Sequence, residues 1–212
     1  MNDEEKIRLF VHVEEPSMYE ALKILLPRMI EPHIVDIKII DHGSKQKLLR
    51  DLPNRLRGYK VQARINARVL VLVDRDDDDC RLLKQQLEQG AQQAGLMTKS
   101  HPDPDGSFQV VNRIVVEELE SWFIGDIGAL QKAYRGVPVN LGRKAAYRNP
   151  DAVAGGTWEA LHRVLKGAGH YTGAHMPKIE VARSVAEHMR PAENRSRSFQ
   201  VFAEGLVAIT AP

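Results

Sequence analysis

The sequence predicts an α/β fold, an open and mostly parallel sheet flanked by helices. Short runs rich in Val, Ile and Leu alternate along the chain with longer segments of helical periodicity, which is the pattern of a doubly wound sheet. One of these runs, "RVLVLVD", is apolar throughout, as strands covered on both faces tend to be. With 212 residues, 43% apolar and 27% charged, the chain can bury a sizeable core.

The first strand and the first helix are predicted near the amino terminus. "IRLFVHV" (residues 7–13) has the composition of a buried strand. The helical pattern of residues 17–30 follows, with Ser17 as the expected N-cap and Glu20 three residues later, the spacing of a capping box. Pro27 is expected to kink or end this helix, because proline lacks the amide hydrogen that a helix interior requires.

Two more strands are predicted before the middle of the chain. Residues 34–40, "IVDIKII", form the second strand, and a short helix over residues 44–52 is closed by Pro53. "RVLVLVD", residues 68–74, is the third strand. The next segment, residues 80–96, has apolar residues at mostly helical spacing and ends near a glycine, so we expect a helix there.

One further strand and four helices complete the predicted order. A strand over residues 108–116 and a helix over residues 117–134 are followed by a connection rich in Gly, Pro and Asn. Three short helices come last, over residues 157–166, 177–189 and 198–209. We therefore expect a core over residues 1–135 and a helical C-terminal extension over residues 136–212 that packs on the core.

Several classes of protein and of site are not expected. No apolar run reaches the roughly 18 residues of a membrane span, and the acidic start "MNDEEKIRLF" is unlike a signal peptide, so we expect no membrane partner. The single cysteine, Cys80, cannot form an internal disulfide, which fits the cytoplasm, and we expect it to pack in a helix. Motifs of phosphate-binding loops, dinucleotide folds and serine hydrolases are absent. The spacing of His170 and His175 matches no helical metal motif.

Acidic residues follow two of the predicted strands, at the sheet edge where α/β proteins carry their functional crevice. Glu14 comes directly after the first strand, and Asp74 ends the third. If these strands are neighbours, Glu14 and Asp74 meet at that edge, and Asp76, two residues on in an extended chain, points the same way as Asp74. Three converging carboxylates are a natural site for Mg²⁺ or Mn²⁺.

The acids that come next in "DRDDDDC" have a structural explanation. Asp77, Asp78 and Asp79 precede a predicted helix, where carboxylates cap the first turn and interact well with the helix dipole. That explanation does not cover Asp74, which belongs to the end of the strand. We therefore expect Asp74 and Asp76 to be the metal ligands of this stretch.

A further pair of acids, Glu117 and Glu120, lies in "VVEELESWFIGD". The two are three residues apart, on one face of a predicted helix and beside the apolar Leu119 and Trp122. A carboxylate among apolar side chains needs a metal or an arginine as its partner. The sequence leaves two interpretations open: at least one of the two acids is functional, or both are structural. Glu118 is expected to be exposed to solvent.

Basic residues interleaved with aromatic ones form two stretches. They suit a polyanion, with phosphates on the cations and bases on the rings, although an ordinary solvated surface explains them as well. The first stretch contains Arg55, Arg57, Lys60, Arg64 and Arg68, and the second contains Lys132, Tyr134, Arg135, Arg143, Lys144, Tyr147 and Arg148. We expect Arg143, Lys144 and Arg148 to bind nucleic acid.

Two of these motifs resemble those of the Toprim domain, the metal-binding catalytic fold of topoisomerases, primases and OLD-type nucleases. Its first motif usually reads Glu-Gly-x-[ST]-[DE], and "EEPSM" has Glu15 in place of the glycine and Met18 in place of the last acid. Its Asp-x-Asp motif is intact as Asp74 and Asp76. Because glycine permits a tight turn with positive φ, Glu15 predicts either an additional ligand or a site that has drifted from catalysis.

Nearly the whole chain is similar to a bacterial family of Toprim-like proteins of undefined function. The similarity lies in "VEEPS", "VLVDRDDDD", "EELESWFIGD" and "PKIEVARSVAEHMRP", in that order. It implies a Toprim-like fold and a nuclease whose catalytic residues are Glu14, Asp74, Asp76 and Lys178. The ligands that it implies for Mg²⁺ or Mn²⁺ are Glu14, Asp74 and Asp76, with a carboxylate from Glu117 or Glu120.

The resemblance also implies partners. The expected substrate is nucleic acid, DNA rather than RNA, and a co-encoded ATPase is the expected protein partner, because members of the family are often encoded with ATPases in systems that defend against phage. A homodimer is left open. One alternative is a non-catalytic module that docks on the ATPase and uses the acids for regulation. A receiver-like phosphoacceptor domain would need a Ser or Thr and a Lys at the ends of later strands, and no residue fits.

Overall fold

Four parallel strands form one open sheet in the computed structural model, which describes residues 6–31, 33–61 and 66–211. The strands are β1 (Ile7–Val13), β2 (Val35–Asp41), β3 (Ala67–Asp74) and β4 (Val110–Val115). Their order across the sheet is β2-β1-β3-β4, and each neighbouring pair is parallel. The predicted strands are confirmed to within two residues. The acidic start of the chain and Arg64 lie outside the described residues.

Helices cover both faces of the sheet, so the predicted α/β class is confirmed. The helices of the described part are α1 (Pro16–Met29), α2 (Lys45–Val61), α3 (Cys80–Gln93), α4 (Glu120–Gly125), α5 (Ile127–Ala133), α6 (Thr157–Gly167), α7 (Lys178–Ala186) and α8 (Arg197–Thr210). Apolar side chains of α2 and α3 pack on one face of the sheet, and those of the other helices pack on the opposite face. Among the residues that the structure describes, no helix is both long and apolar enough to cross a membrane.

Strand β3 shows why a run without polar residues was the correct signal for a central strand. Successive side chains of a strand point to opposite faces. Val71 and Val73 join the apolar cluster of α2 and α3, whereas Leu70 and Leu72 join the cluster on the other face. All of these side chains are fully buried, so both faces of β3 are covered.

The C-terminal helices pack on the sheet and on α1. Helix α7 lies against α1, and Arg28 of α1 donates hydrogen bonds to the carbonyl oxygens of Ala186 at 2.9 Å and Met189 at 2.7 Å. Ala186 is the last residue of α7 and Met189 lies three residues beyond it, so Arg28 places its cation at the end of a helix where a positive charge is favourable. Helix α8 lies against β4, with Phe199 and Phe202 packed on the ring of Trp122. One apolar cluster therefore runs through both regions, and the boundary near residue 135 stays a prediction.

The predicted capping box at the start of α1 is wrong. The helix begins at Pro16, which favours the first helical position because its φ is already helical and it has no amide hydrogen to satisfy. Its N-cap is Glu15, and the Ser17 hydroxyl donates to the Glu15 carboxylate instead of capping the helix. The Glu20 carboxylate accepts a hydrogen bond from Arg183 at 2.9 Å. Pro27 does not end α1, which continues to Met29.

The prediction of a short helix that ends at Pro53 is also wrong. Helix α2 continues through Pro53 to Val61. A proline inside a helix removes one backbone hydrogen bond and strains the preceding turn. Leu48, Leu52 and Leu56 form a buried stripe on both sides of this proline. Tertiary packing of such a stripe outweighs the local preference, as it does for most helices in proteins.

The single helix predicted over residues 117–134 is instead two helices, α4 and α5, that meet at Asp126. The Asp126 carboxylate accepts hydrogen bonds from the backbone amides of Ala129 at 2.9 Å and Arg190 at 2.7 Å. It therefore caps α5 and ties it to the segment after α7. Glu117 lies outside both helices, with a left-handed φ of 63°.

The predicted cap at the end of the acidic stretch is confirmed. The Asp79 carboxylate accepts hydrogen bonds from the backbone amides of Arg81 at 2.8 Å and Leu82 at 3.0 Å, so Asp79 is the N-cap of α3. Cys80, the first residue of α3, is exposed. The expected helical position of Cys80 is confirmed, but the expectation that it packs there is wrong, because the thiol is exposed in the first turn of α3.

Candidate metal centre

The crevice of the sheet opens between the carboxyl ends of β1 and β3. The chain runs from β1 to β2 on one side, and β3 lies on the other side of β1, so the strand order reverses direction at β1. Open α/β sheets bind their ligands at such a switch point. The register pairs Val13 with Leu72, which brings Glu14 and Asp74 to the same edge, as the sequence predicts for neighbouring strands.

Three carboxylates converge in this crevice. One oxygen each from Glu14, Asp74 and Asp76 lies within 4.8 Å of the other two. Glu14 and Asp74 are 6% and 3% exposed, whereas Asp76 is open to solvent. These three residues, called the acidic triad below, are the ones that the sequence predicted to meet.

Asp76 reaches the triad by a turn and not by an extended chain. Its φ is 49°, in the left-handed region, where aspartate is more tolerant than most residues. The backbone amide of Asp76 donates to the carbonyl oxygen of Glu117 at 3.1 Å, and that of Asp78 donates to the carbonyl oxygen of Arg75 at 3.0 Å. The extended geometry used to predict the direction of Asp76 is therefore wrong, although the position that it predicted is occupied.

Two buried oxygens of the triad have no hydrogen-bond partner. Among the described residues, nothing donates to Oε2 of Glu14 or to Oδ1 of Asp74, and the same holds for Oε2 of the buried Glu120. Leaving a buried carboxylate oxygen without a partner is costly, and leaving it charged is more costly still. A divalent cation with oxygen ligands would satisfy these atoms, and the all-carboxylate donor set suits Mg²⁺ or Mn²⁺.

The electrostatics of the centre favour a proton or a cation on these acids. The pKa of Glu14 is raised to about 8, mainly by burial, with the charge of Lys45 opposing the rise and the charges of Asp76 and Glu15 contributing to it. Burial also raises the pKa of Asp74 well above its usual range, and the charge of Glu14 adds to the effect. For Glu120 burial raises the pKa to about 7, against the opposing charge of Lys178. A metal bound here would replace protons.

We expect Glu14→Gln to alter how stability depends on pH in the metal-free protein. Because the folded-state pKa is raised, the contribution of Glu14 is fully present below its unfolded pKa and is lost as the pH rises through about 8. Glutamine carries no charge at any pH, so the variant should gain melting temperature relative to the native protein between about pH 5 and about pH 9.

Melting curves of both proteins in EDTA across this pH range would measure the difference. Asp36→Asn, at an exposed position of β2, is the control and should show no such trend. A difference between Glu14→Gln and native protein that stays constant over the range would show that Glu14 does not hold a proton in the folded state.

Lys45 lies beside the triad, and the sequence reasoning missed it. It is the first residue of α2 and is buried. Its ammonium lies 2.6 Å from Oδ2 of Asp76 and 2.8 Å from Oδ2 of Asp78, and it donates to the carbonyl oxygen of Arg75 at 3.1 Å. Burial opposes its charge, but the hydrogen bonds with the two aspartates outweigh this and raise its pKa. Lys45 is thus an internal cation at the exposed side of the triad.

Lys178 lies on the other side of the centre. It begins α7, and its ammonium is 3.9 Å from Oε2 of Glu15 and 3.7 Å from Oε1 of Glu118. Burial opposes its charge, but Glu120 and Glu15 outweigh this and raise its pKa. Its side chain is 37% exposed, so it can meet a ligand from solvent. The structure therefore places this sequence-predicted residue near the acids.

The two other predicted acids differ in their surroundings. The Glu117 carboxylate accepts a hydrogen bond from Arg75. Glu120 is buried and close enough to Asp74 to raise the pKa of that carboxyl. Glu120 has a buried oxygen without a hydrogen-bond partner among the described residues, and ligation by either residue stays a prediction.

The prediction that Glu118 is exposed to solvent is wrong. Its carboxylate accepts hydrogen bonds from the Thr157 hydroxyl at 3.1 Å and the backbone amide of Trp158 at 3.0 Å. It therefore caps the start of α6, where a helix favours an anion. A contact so distant in the sequence leaves no local signal, which is why the sequence did not predict it.

The backbone conformation at Glu15 does not require the glycine that the Toprim motif has at this position. Glu15 has a φ of −137° and a ψ of 157°, an extended conformation that any residue adopts. The concern that glutamate forbids a tight turn at this position is therefore removed. Its carboxylate is used by Ser17 and lies near Lys178, so it forms part of the rim of the centre.

The predicted nucleic-acid residues lie on an exposed segment after α5. Arg143, Lys144 and Arg148 are all exposed, within a run of short 3₁₀ turns. The aromatic rings expected to stack on bases are not available. Tyr134 is buried and its hydroxyl bonds with that of Tyr171 at 3.0 Å, and Tyr147 packs against the apolar core. Only charge is left to carry an interface here.

Comparison with known proteins gave one match. A family model described as a domain of unknown function (DUF4276) matches residues 13–207, which include the acidic triad, Lys45 and Lys178. No curated protein and no solved structure matches the chain significantly.

Proposed function

We propose that this chain, which belongs to the DUF4276 family, is a nuclease that depends on Mg²⁺ or Mn²⁺ held by Glu14, Asp74 and Asp76. The observation that carries the proposal is the acidic triad itself, with two buried carboxylate oxygens that no described residue satisfies. A cluster of exposed acids would gain little from a cation, whereas the buried Glu14 and Asp74 are destabilised without one.

Each acidic residue of the crevice has a separate role in this proposal. A bound divalent cation would supply an activated water and neutralise charge on the oxygens of a phosphodiester. Glu14 and Asp74 hold fixed positions because rigid neighbouring strands carry them. Asp76 approaches from the solvent side of the turn, and Glu120 is the carboxylate that could extend the set to a second ion.

Lys178 is the residue that we propose to contact the scissile phosphate. Its ammonium is within 4 Å of Glu15 and Glu118 but its side chain is partly open to solvent. A phosphate that enters the crevice would meet this cation and gain a charge-assisted hydrogen bond. The acids around Lys178 keep it protonated, so it acts as a donor and not as a base.

The setting that we propose follows from the resemblance to Toprim domains. The chain would be the effector of a defence system against phage, working in the cytoplasm with a co-encoded ATPase. The intact Asp-x-Asp at Asp74 and Asp76 and the undistorted backbone at Glu15 support catalysis over a purely regulatory role.

A plasmid-nicking assay tests the proposal. We expect relaxed or linear plasmid DNA with millimolar Mg²⁺ or Mn²⁺, slower cleavage of RNA, and no product when EDTA removes the metal. Cleavage that continues in EDTA would contradict a metal-dependent mechanism. No cleavage with either metal, together with binding of the co-encoded ATPase in a pulldown, would support the non-catalytic module instead.

A further inference from the structure

A second charged site lies at the junction of α4 and α5. It is a surface pocket of about 250 Å³, and three arginines from separate parts of the chain line it. Arg143 belongs to the 3₁₀ turn Leu141–Arg143, whereas Arg190 and Arg195 flank the turn Pro191–Glu193. We call this the arginine pocket. The sequence pointed to Arg143 alone, because nothing local connects it with the other two.

Two glycines let the guanidinium groups lie directly on the backbone. A Cβ atom on Gly128 would be 2.7 Å from Nη2 of Arg190, and one on Gly142 would be 2.6 Å from Nη2 of Arg195. Neither glycine has a positive φ, so neither is required for backbone conformation. Their role here is steric: they leave room for two arginine heads on the wall of the pocket.

The charges of the pocket do not cancel. Three arginines line it against two carboxylates, Asp126 and Glu193, which leaves a net charge of +1, and both oxygens of Asp126 are already engaged by backbone amides. Glu193 pairs with Arg190 at 2.7 Å, yet the two side chains are 54% and 47% exposed, so the pair is weak. The Arg195 guanidinium donates to the carbonyl oxygen of Gly142 at 3.3 Å, a long and weak hydrogen bond, and the backbone amide of Arg195 donates to the carbonyl oxygen of Gly125 at 3.0 Å. The Arg143 side chain has no hydrogen bond or ion pair within the described residues.

We propose that the arginine pocket binds a backbone phosphate of the nucleic acid, at a position away from the bond that is cut. Guanidinium groups present paired N–H donors that match the oxygens of a phosphate, which is why arginine predominates at such sites. The affinity for phosphate stands on the pocket alone. Its assignment to a nucleic-acid strand rests on the proposed function.

Helix α4 connects the two sites. It begins at Glu120, beside the acidic triad, and ends at Gly125, which lines the arginine pocket. Five residues of α-helix rise about 7.5 Å, so the two ends of α4 are separated by only a short span. A strand held in the pocket would be fixed in register relative to the metal centre, as phosphate contacts fix register elsewhere.

Two substitutions test the pocket without changing its charge. Gly128→Ala and Gly142→Ala should each push one guanidinium off the backbone while keeping every arginine and a compatible backbone. Binding of fluorescent DNA, measured by anisotropy in EDTA so that no cleavage occurs, should weaken by about three- to tenfold in each variant. The double variant Arg190→Ala/Arg195→Ala should weaken it further and lower the salt slope by about one unit for each lost phosphate contact.

Matched controls come from the same chain. Gly58→Ala adds a Cβ that meets nothing within 4 Å, and Arg163→Ala removes an exposed arginine elsewhere. Both should bind DNA like the native protein. Pocket variants that bind no differently from these controls would overturn the proposal.

A second measurement separates the sources of phosphate. Inorganic phosphate should raise the melting temperature only weakly and compete poorly with DNA. Tight binding of inorganic phosphate that the glycine variants lose, with DNA binding unchanged, would assign the pocket to a small phosphate compound and overturn the strand assignment. Because these assays need no catalysis, weaker DNA binding in the pocket variants would stand even if the nicking assay failed.

Discussion

Asp74→Asn is expected to abolish hydrolysis and most of the stabilisation by metal, while leaving the metal-free protein at least as stable as the native one. The carboxylate of Asp74 is buried, has an unpartnered oxygen, and lies near the charges of Glu14 and Glu120. Asparagine keeps the shape but carries no charge at any pH, so the metal-free protein no longer bears the cost of a buried charge or of a proton held at a raised pKa, and one ligand is lost.

The effect on melting should be large enough to measure directly. At a metal concentration about 100 times the dissociation constant, mass action adds about 2.7 kcal/mol to the stability of the native protein. For a chain of this size each kcal/mol corresponds to about 2–4 °C, so Mg²⁺ or Mn²⁺ should raise the melting temperature by about 5–10 °C. Asp74→Asn should respond by less than about 2 °C, and its plasmid cleavage should fall to background.

Asp79→Asn is the matched control for this prediction. Asp79 belongs to the same acidic stretch but serves as the N-cap of α3, and asparagine caps a helix as well as aspartate does. The control should keep both the metal response and hydrolysis. Equal responses in the native protein and both variants would place the acids on an ordinary helix start and remove the main support for the nuclease.

The position of the metal centre could be predicted because it follows from strand order and direction. Val69 to Val73 are apolar without interruption, which marked β3 as a strand buried on both faces. Once β1 and β3 are taken as parallel neighbours, the residues that follow them must meet at one edge. Glu14 and Asp74 therefore needed no knowledge of side-chain packing. Asp76 needed a turn that the sequence did not reveal.

The cations around the site could not be predicted in the same way. Lys45 reaches the triad because α2 starts at the carboxyl edge of β2. Pro53 led us to predict only a short helix there, so Lys45 was not considered for the site. Arg190 and Arg195 meet Arg143 through packing of distant segments, which leaves no periodic signal. Charge runs predicted only that some basic surface exists. Which cations face an acid, a pocket or solvent is decided by tertiary contacts.

Lys45→Met should have the opposite effect to Asp74→Asn on the stability of the metal-free protein and on the rise in melting temperature with metal. The ammonium of Lys45 is buried and bonds with Asp76 and Asp78, so its removal leaves acids near Glu14 without their internal cation. The metal-free protein should lose about 1–3 kcal/mol, less than a fully buried ion pair because both aspartates are half exposed. A bound metal would no longer compete with the ammonium for Asp76, so the rise in melting temperature with Mg²⁺ or Mn²⁺ should exceed that of the native protein.

Lys47→Met distinguishes this effect from the loss of any lysine on α2. Lys47 lies two residues further along the helix and is exposed, so its substitution should change neither the metal-free melting temperature nor the metal response. Melting curves of the three proteins in EDTA and in millimolar metal give both quantities at once. If Lys45→Met were to melt like the native protein in EDTA and show the same metal response, Lys45 would not be neutralising the triad. The two variants should shift the metal response in opposite directions only if the ammonium and a divalent cation act on the same carboxylates. Lys45→Met then increases the unfavourable energy of the metal-free carboxylates, which the metal relieves, and Asp74→Asn reduces it.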